Sequence, residues 1–305
     1  MDTKLSTNTP PKWVGHVAAL TVYIIFGINP NCSKAIIPQY IHPEVFTEVR
    51  MLFGAAGFWL LSLFFTREKV ERKDMGLFVF GAFVLAGTLI AFAEAFRYTS
   101  PCYVSLISAT SPLVVMILAA IFLKEPITWK KVLGVATSFG GILWLILQST
   151  TGATGPSETQ PLGIVFCFAN YIVFALYLGT CRNLIARYSV ITSMKWMFLA
   201  SFIVAIPFAM PYLPQTDFAA VPGKVWWEIG YMIFFSTFLA YYLIPIGQQR
   251  IRPTLVSMYG YLQPIIAIAV AIWAGMDRLT ITKVVAALLV FTGVWVVNKS
   301  RAAAN

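Results

Sequence analysis

The sequence predicts an all-α integral membrane protein of ten transmembrane helices, arranged as two inverted five-helix repeats. Three observations lead there. The first is composition: of 305 residues, 59% are apolar and only 11% charged, with a mean hydropathy of +0.77. Soluble domains carry about 25% charged residues, so charge here is too scarce to clothe a soluble surface. The second is spacing. Apolar residues fall in blocks about 20 long, the length a helix needs to cross ~30 Å of hydrocarbon. The third is doubling: residues 101–144 align without a gap on residues 253–296, at an offset of 152.

The blocks run 14–37, 43–65, 75–97, 101–123, 129–148, 161–181, 190–210, 226–248, 254–275 and 280–298. The first follows a polar segment, Met1–Trp13, that holds Pro10-Pro11. No short apolar core with a small-residue cleavage site precedes it, so it reads as a span and not as a cleaved leader. The fourth opens at Pro101. The stretch 149–160, STTGATGPSETQ, is the most polar interval between blocks and separates five from five. The seventh and eighth are joined by 211–225, an ordered external turn carrying Pro211, Pro214 and Pro222. The runs are continuous rather than alternating, which argues against a membrane β-barrel. Cys32, Cys102, Cys167 and Cys181 lie inside apolar blocks with no CxxC spacing, and read as small core residues.

Net charge is +10. In a soluble protein that suggests nucleic acid; here its distribution sets topology, and no nucleic-acid partner is expected. Fifteen of the 22 basic residues lie in alternate loops: Lys4, Lys12, Arg67, Lys69, Arg72, Lys73, Lys124, Lys130, Lys131, Arg182, Arg187, Arg250, Arg252, Lys299 and Arg301. The positive-inside rule puts both termini in the cytoplasm, and an even number of spans requires them to share a side. Trp226, Trp227, Trp273 and Trp295 fall near block ends, as interfacial anchors do.

The doubling contains ten identities, among them Pro101/Pro253, Ser105/Ser257, Pro112/Pro264, Lys131/Lys283 and Gly141/Gly293. Roughly three or four are expected by chance for ordinary residue usage. An earlier part aligns at an offset of 148, with Tyr23 on Tyr171, Ile24 on Ile172 and Phe26 on Phe174. Each copy holds five spans, an odd number, so the second enters the membrane upside down. The repeats occupy 13–148 and 161–298. Duplicated, inverted halves are typical of transporters, with the site between them.

The passage from Phe96 to Trp144 also carries a resemblance. Pro101, the small residues Ser108-Ala109-Thr110-Ser111, Pro112, the turn Leu123-Lys124-Glu125-Pro126 and a helix ending at Gly140-Gly141 resemble the drug/metabolite transporter superfamily, EamA type. The second copy departs at the turn, where Gly275-Met276-Asp277-Arg278 stands. The resemblance implies a central cavity lined by the first, third, fourth, sixth, eighth and ninth spans. It places the fifth and tenth at the periphery.

Candidate cavity residues come from helical faces that carry polar or aromatic groups through apolar spans, where ionisable groups usually face the interior. The first span offers Tyr23, Asn29 and Lys34, with a helix break expected at Pro30. The alternative is a plain kink, with Lys34 reaching the outer surface. The third offers Glu94 and Tyr98; for Glu94 a structural ion pair with Arg97 or Lys34, proton coupling and substrate contact all stay open. The fourth and ninth offer Ser105, Ser108, Ser257, Tyr261 and Gln263; close packing of small residues is the other reading of the serines. The sixth gives Tyr171 beside Asn170, and the eighth Tyr242 and Gln249. Glu44, Glu48 and Arg50 read as a solvated helix start or an outer gate.

The function expected is a secondary transporter exporting small organic metabolites, amino acids or similar, across the cytoplasmic membrane by alternating access. Its partners are the bilayer, a small-molecule substrate and, if Glu94 titrates, protons; monomer and homodimer both stay open. No cofactor or metal is expected. No GxxxxGK[ST] occurs, which removes ATP as a direct energy source, and no HExxH or interior Asp pair suggests an enzyme. A passive channel and an organic-phosphate or nucleotide-sugar exchanger stand as alternatives. The exchanger needs paired interior cations, for which Lys34, Arg97, Lys195 and Arg250 are the candidates.

Overall fold

The computed structural model of the chain describes residues 11–65, 68–111, 114, 128–150, 160–251, 259–275 and 280–302. Among them the regular structure is all helical. In order, the helices are α1 (Lys12–Ile36), α2 (Pro43–Phe65), α3 (Arg72–Tyr98), α4 (Pro101–Ser108), α5 (Trp129–Thr150) and α6 (Pro161–Thr180). A short α7 (Arg182–Arg187) and α8 (Val190–Ala209) follow. Then come α9 (Gly223–Arg250), α10 (Leu262–Trp273) and α11 (Ile281–Ala302). Of these, α1, α2, α3, α8 and α9 are long and apolar enough to cross a membrane. Their outer faces suit lipid: Leu63 and Phe64 are each 74% exposed, a cost in water that hydrocarbon removes.

Most helix starts follow from local chemistry. Proline, which has no N–H to leave unsatisfied, stands in the first turn of α4 and α6. The Ser189 hydroxyl caps α8 by accepting from the Thr192 N–H at 3.2 Å. The fourth and ninth spans of the sequence reading are described only as α4 and α10 with short adjoining turns. Pro112, the 123–126 turn, Ser257 and the 276–278 turn lie outside the described residues.

Two expectations are corrected. The break at Pro30 does not occur: α1 is helical from Lys12 to Ile36 with Pro30 buried inside it. A proline removes one backbone bond and crowds the preceding turn, and within a bundle neighbouring helices can serve the freed carbonyls. Here the Tyr231 hydroxyl donates to Ile25 O at 2.9 Å, one residue before the carbonyl Pro30 leaves unserved. The second concerns α9, whose middle, Met232–Leu239, is π-helical where an ordinary helix was expected.

α3 lies along α6 and α8, α2 along α8, and α1 against the C-terminal half of α9 and against α10; α4 meets α10. α5 and α11 pair with each other. Glycines permit that approach: a Cβ on Gly141 would sit 3.0 Å from Ala286 O, and one on Gly293 would collide with Gly134 O and Ser138 Oγ. Ser138 Oγ also donates to Val290 O at 3.1 Å. Gly293 and Ala286 are the counterparts of Gly141 and Gly134 at the offset of 152. Exchanging the copies therefore turns one contact into the other.

Candidate functional site

A cavity of about 560 Å³, its open mouth included, lies between the helices. α1 contributes Tyr23, Phe26 and Asn29, and α3 contributes Thr88, Leu89 and Phe92. Asn170, Tyr171 and Phe174 come from α6, Tyr241 from α9 and Gln263 from α10, with Ser111 just beyond α4 and Arg50 from α2. Four of the sequence candidates thus line it: Tyr23, Asn29, Tyr171 and Gln263. The lining helices are those the resemblance implied, with α2 added.

Arg50 is what sequence reasoning missed. In the sequence it reads as part of a solvated helix start or an outer gate, yet it is 2% exposed. Seven residues at 1.5 Å put it roughly 10 Å along α2 from its first residue. Its Nε donates to Thr237 Oγ1 at 2.8 Å and its Nη2 to Ser236 Oγ at 3.3 Å. Both hydroxyls belong to the π-helical segment of α9, and such segments occur often at functional sites. The signal was present: a charge two turns inside an apolar helix is expensive and usually functional. Asn170 Nδ2 donates to Thr88 O at 2.8 Å and fixes α6 on α3 beside the cavity.

The other candidates stand elsewhere. Glu94, one turn from the end of α3, pairs with Arg97 at 3.3 Å and has Glu44 within hydrogen-bonding reach. Glu44 in turn meets His42, whose ring stacks on Tyr212 with centroids 3.7 Å apart and planes 8° from parallel. Lys34 Nζ donates to Phe96 O at 3.2 Å, and the Tyr98 ring stacks on Phe166. These groups form a polar cluster at one end of the bundle. Ser105 and Ser108 donate within α4, to Pro101 O and Ser105 O. Gln249 donates to Ile185 O, and Tyr242 packs against the apolar core. Ser257 lies outside the described residues, as does the side chain of Tyr261. No group of three or more metal-ligating side chains occurs among the described residues.

A second polar cluster closes the opposite end. Asp74 Oδ1 meets Arg187 Nη2 at 3.0 Å, and Asp74 Oδ2 accepts from the Tyr188 hydroxyl at 2.7 Å. That carboxylate holds the Tyr188 phenol above its ordinary range, so the phenol remains a donor. The Ser189 N–H donates to Glu68 Oε2 at 2.9 Å. The segment preceding α3 is thereby clasped to the segment following α7.

The EamA-like transporter family profile matches residues 13–147 and again residues 161–299. YyaM, an uncharacterized transporter of Bacillus subtilis, is 26% identical over 286 residues, which is 92% of each chain. An uncharacterized transporter of Archaeoglobus fulgidus is 25% identical over 295 residues, 95% of this chain and 99% of its own. A solved crystal structure superposes with a TM-score of 0.65 at 18% identity, over 92% of this chain and 95% of that one. At that identity the likeness concerns the fold.

Proposed function

The chain belongs to the EamA-like transporter family, and from that membership we propose that it is a secondary transporter of small organic metabolites working by alternating access. It is a multi-pass membrane protein whose surroundings are lipid and whose cargo is a small molecule; family and relatives are transporters, not enzymes. The observation that carries the proposal is the cavity. Its walls come from α1, α2 and α3 on one side of the chain's midpoint and from α6, α9 and α10 on the other, with a single guanidinium among aromatic rings.

The finer architecture we propose is ten spans in two inverted repeats, 13–148 and 161–298, with both termini cytoplasmic. The exchange-related contacts of Gly141 and Gly293 support it, since a two-fold between α5 and α11 relates them. So do the two end clusters. The Asp74–Arg187 clasp joins the loop between the second and third spans to that between the sixth and seventh. The His42–Tyr212 stack joins the loop between the first and second to that between the seventh and eighth. Swapping the repeats converts one loop pair into the other, as two gates of one alternating cavity require.

The cargo is a small organic metabolite, an amino acid or similar, moved outward. The exchanger of organic phosphates is disfavoured because its paired cations are engaged elsewhere: Lys195 lies over Trp59, Arg97 on Glu94, and Arg250 Nη1 on Ile246 O. The test is counterflow and efflux by purified protein in liposomes, with and without a pH gradient, for wild type and Glu94→Gln. Saturable substrate movement without ionic current is expected. A pore-like, non-saturating flux would overturn the transporter reading. Full gradient-driven transport by the variant removes Glu94 as the proton carrier.

A further inference from the structure

We propose that Arg50 anchors the carboxylate of the cargo, and that the cavity takes an organic monocarboxylate with an aromatic or branched apolar body, no amine being required. This rests on the transporter reading of the cavity and names the class of molecule it carries.

Arg50 is a charge without a counter-charge among the described residues. A guanidinium stays protonated in a protein, and a buried ion without an opposite charge is costly. Arg50 is the one charged side chain among the described residues lining the cavity. Its two hydrogen bonds go to neutral hydroxyls. Glu94 is engaged by Arg97, Glu44 by His42 and Asp74 by Arg187; Glu48 and Glu228 keep buried oxygens without hydrogen-bond partners, so neither pairs with Arg50. Glu48 stands two residues away on the same helix, a spacing that does not face Arg50.

The donor geometry then selects the ligand. Arginine has five N–H donors in a planar fork. Thr237 and Ser236 take the Nε side, while Nη1 is buried with no partner. The Nη1–Nη2 edge remains, and that edge fits the two oxygens of a carboxylate. Two further polar atoms of the lining are buried without partners, Asn29 Oδ1 and Thr88 Oγ1. Both are neutral: Asn29 Oδ1 only accepts and suits a hydroxyl next to the carboxylate, whereas the Thr88 hydroxyl can also donate to a keto group. No carboxylate among the described lining residues meets an ammonium, and Arg50 repels one. Phe26, Phe92, Tyr171, Phe174 and Tyr241 supply the apolar walls for the body of the molecule.

The probes share a phenyl body: 3-phenyllactate, phenylalanine, 3-phenyllactamide, phenethylamine and phenyl phosphate. Binding is measured by calorimetry on the full-length protein in detergent, and transport by counterflow in liposomes. We expect 3-phenyllactate to bind and move at least as well as phenylalanine. The amide and the amine should bind about 10- to 100-fold more weakly, the loss expected when a charge-assisted pair is removed. Because Arg50 also ties α2 to α9, Arg50→Gln is read beside Arg50→Lys and beside melting temperatures. The amide probe removes the same interaction with the protein intact. Arg50→Gln should lose the acid about 10-fold or more, and Arg50→Lys should keep part of it. An amide that binds like the acid, a folded Arg50→Gln that binds the acid unchanged, or a tenfold preference for the amine or the phosphate ester overturns the anchor and leaves transport standing. A strict requirement for phenylalanine over phenyllactate overturns the claim that no amine is needed. A wild type that binds and carries none of the five, while still moving other metabolites saturably in the liposome efflux assay, overturns the anchor and leaves transport standing.

Discussion

Asp74→Asn should open the end of the bundle that loop charge assigns to the cytoplasm. The carboxylate is buried, accepting from Tyr188 at 2.7 Å and from Arg187 at 3.0 Å. Asparagine keeps the shape and removes the charge. Hydrogen bonds to charged groups contribute about 1.5–3 kcal/mol against 0.5–1.5 for neutral ones, so the Tyr188 contact loses about 1 kcal/mol. Arg187 is 48% exposed, and solvent screening limits that pair to roughly 0.5 kcal/mol. If the clasp exists in one gate state only, a total of about 1.5 kcal/mol shifts the two-state balance roughly 10-fold. The reporter is maleimide reactivity of Ala19→Cys, with the four native cysteines replaced by alanine. Ala19 is 2% exposed and lines a small apolar pocket beside Gly247. Labelling should rise about 10-fold with Asp74→Asn and about 2-fold with Arg187→Gln, from the same arithmetic. Labelling unchanged within a factor of two in Asp74→Asn, with melting unchanged, refutes the clasp as a gate.

At the other end, Tyr212→Ala removes the ring stacked on His42 and should shift the balance the opposite way, lowering Ala19→Cys labelling by a few-fold; a rise would contradict the two-gate reading. For stability, Gly293→Ala places a methyl against Gly134 O and Ser138 Oγ. It should cost about 1–3 kcal/mol by overpacking, read as a lower melting temperature in detergent. Gly140→Ala has open space around its Cβ and should melt at or slightly above the wild type, since alanine favours helix by about 1 kcal/mol. Equal melting of the two variants would mean that the α5–α11 contact does not hold these helices together.

Much of this protein was legible from its sequence because a bilayer imposes a one-dimensional rule. Hydrocarbon thickness fixes the length and hydropathy of each span residue by residue, and α1, α2, α3 and α8 fall within a few residues of the blocks read from the sequence. The doubled passage likewise needed only alignment. The site was legible in part: Tyr23, Asn29, Tyr171 and Gln263 reach the cavity. Arg50 did not read as interior because nearness to a helix start is counted along the chain, while burial depends on what stands opposite. The pairing of Glu94 with Arg97 was legible in the sequence because the two stand three residues apart on α3, whereas only tertiary proximity brings Glu44 to it. The π-helical stretch of α9 was invisible because i→i+4 and i→i+5 bonding use the same apolar residues. Composition and spacing therefore determined that the chain is a helical membrane protein. Helix rotation and approach decided which side chains share a cavity, through contacts between distant residues such as Arg50 with Thr237 and Gly141 with Ala286. Packing sets those contacts across the bundle, and no local property of the chain encodes them.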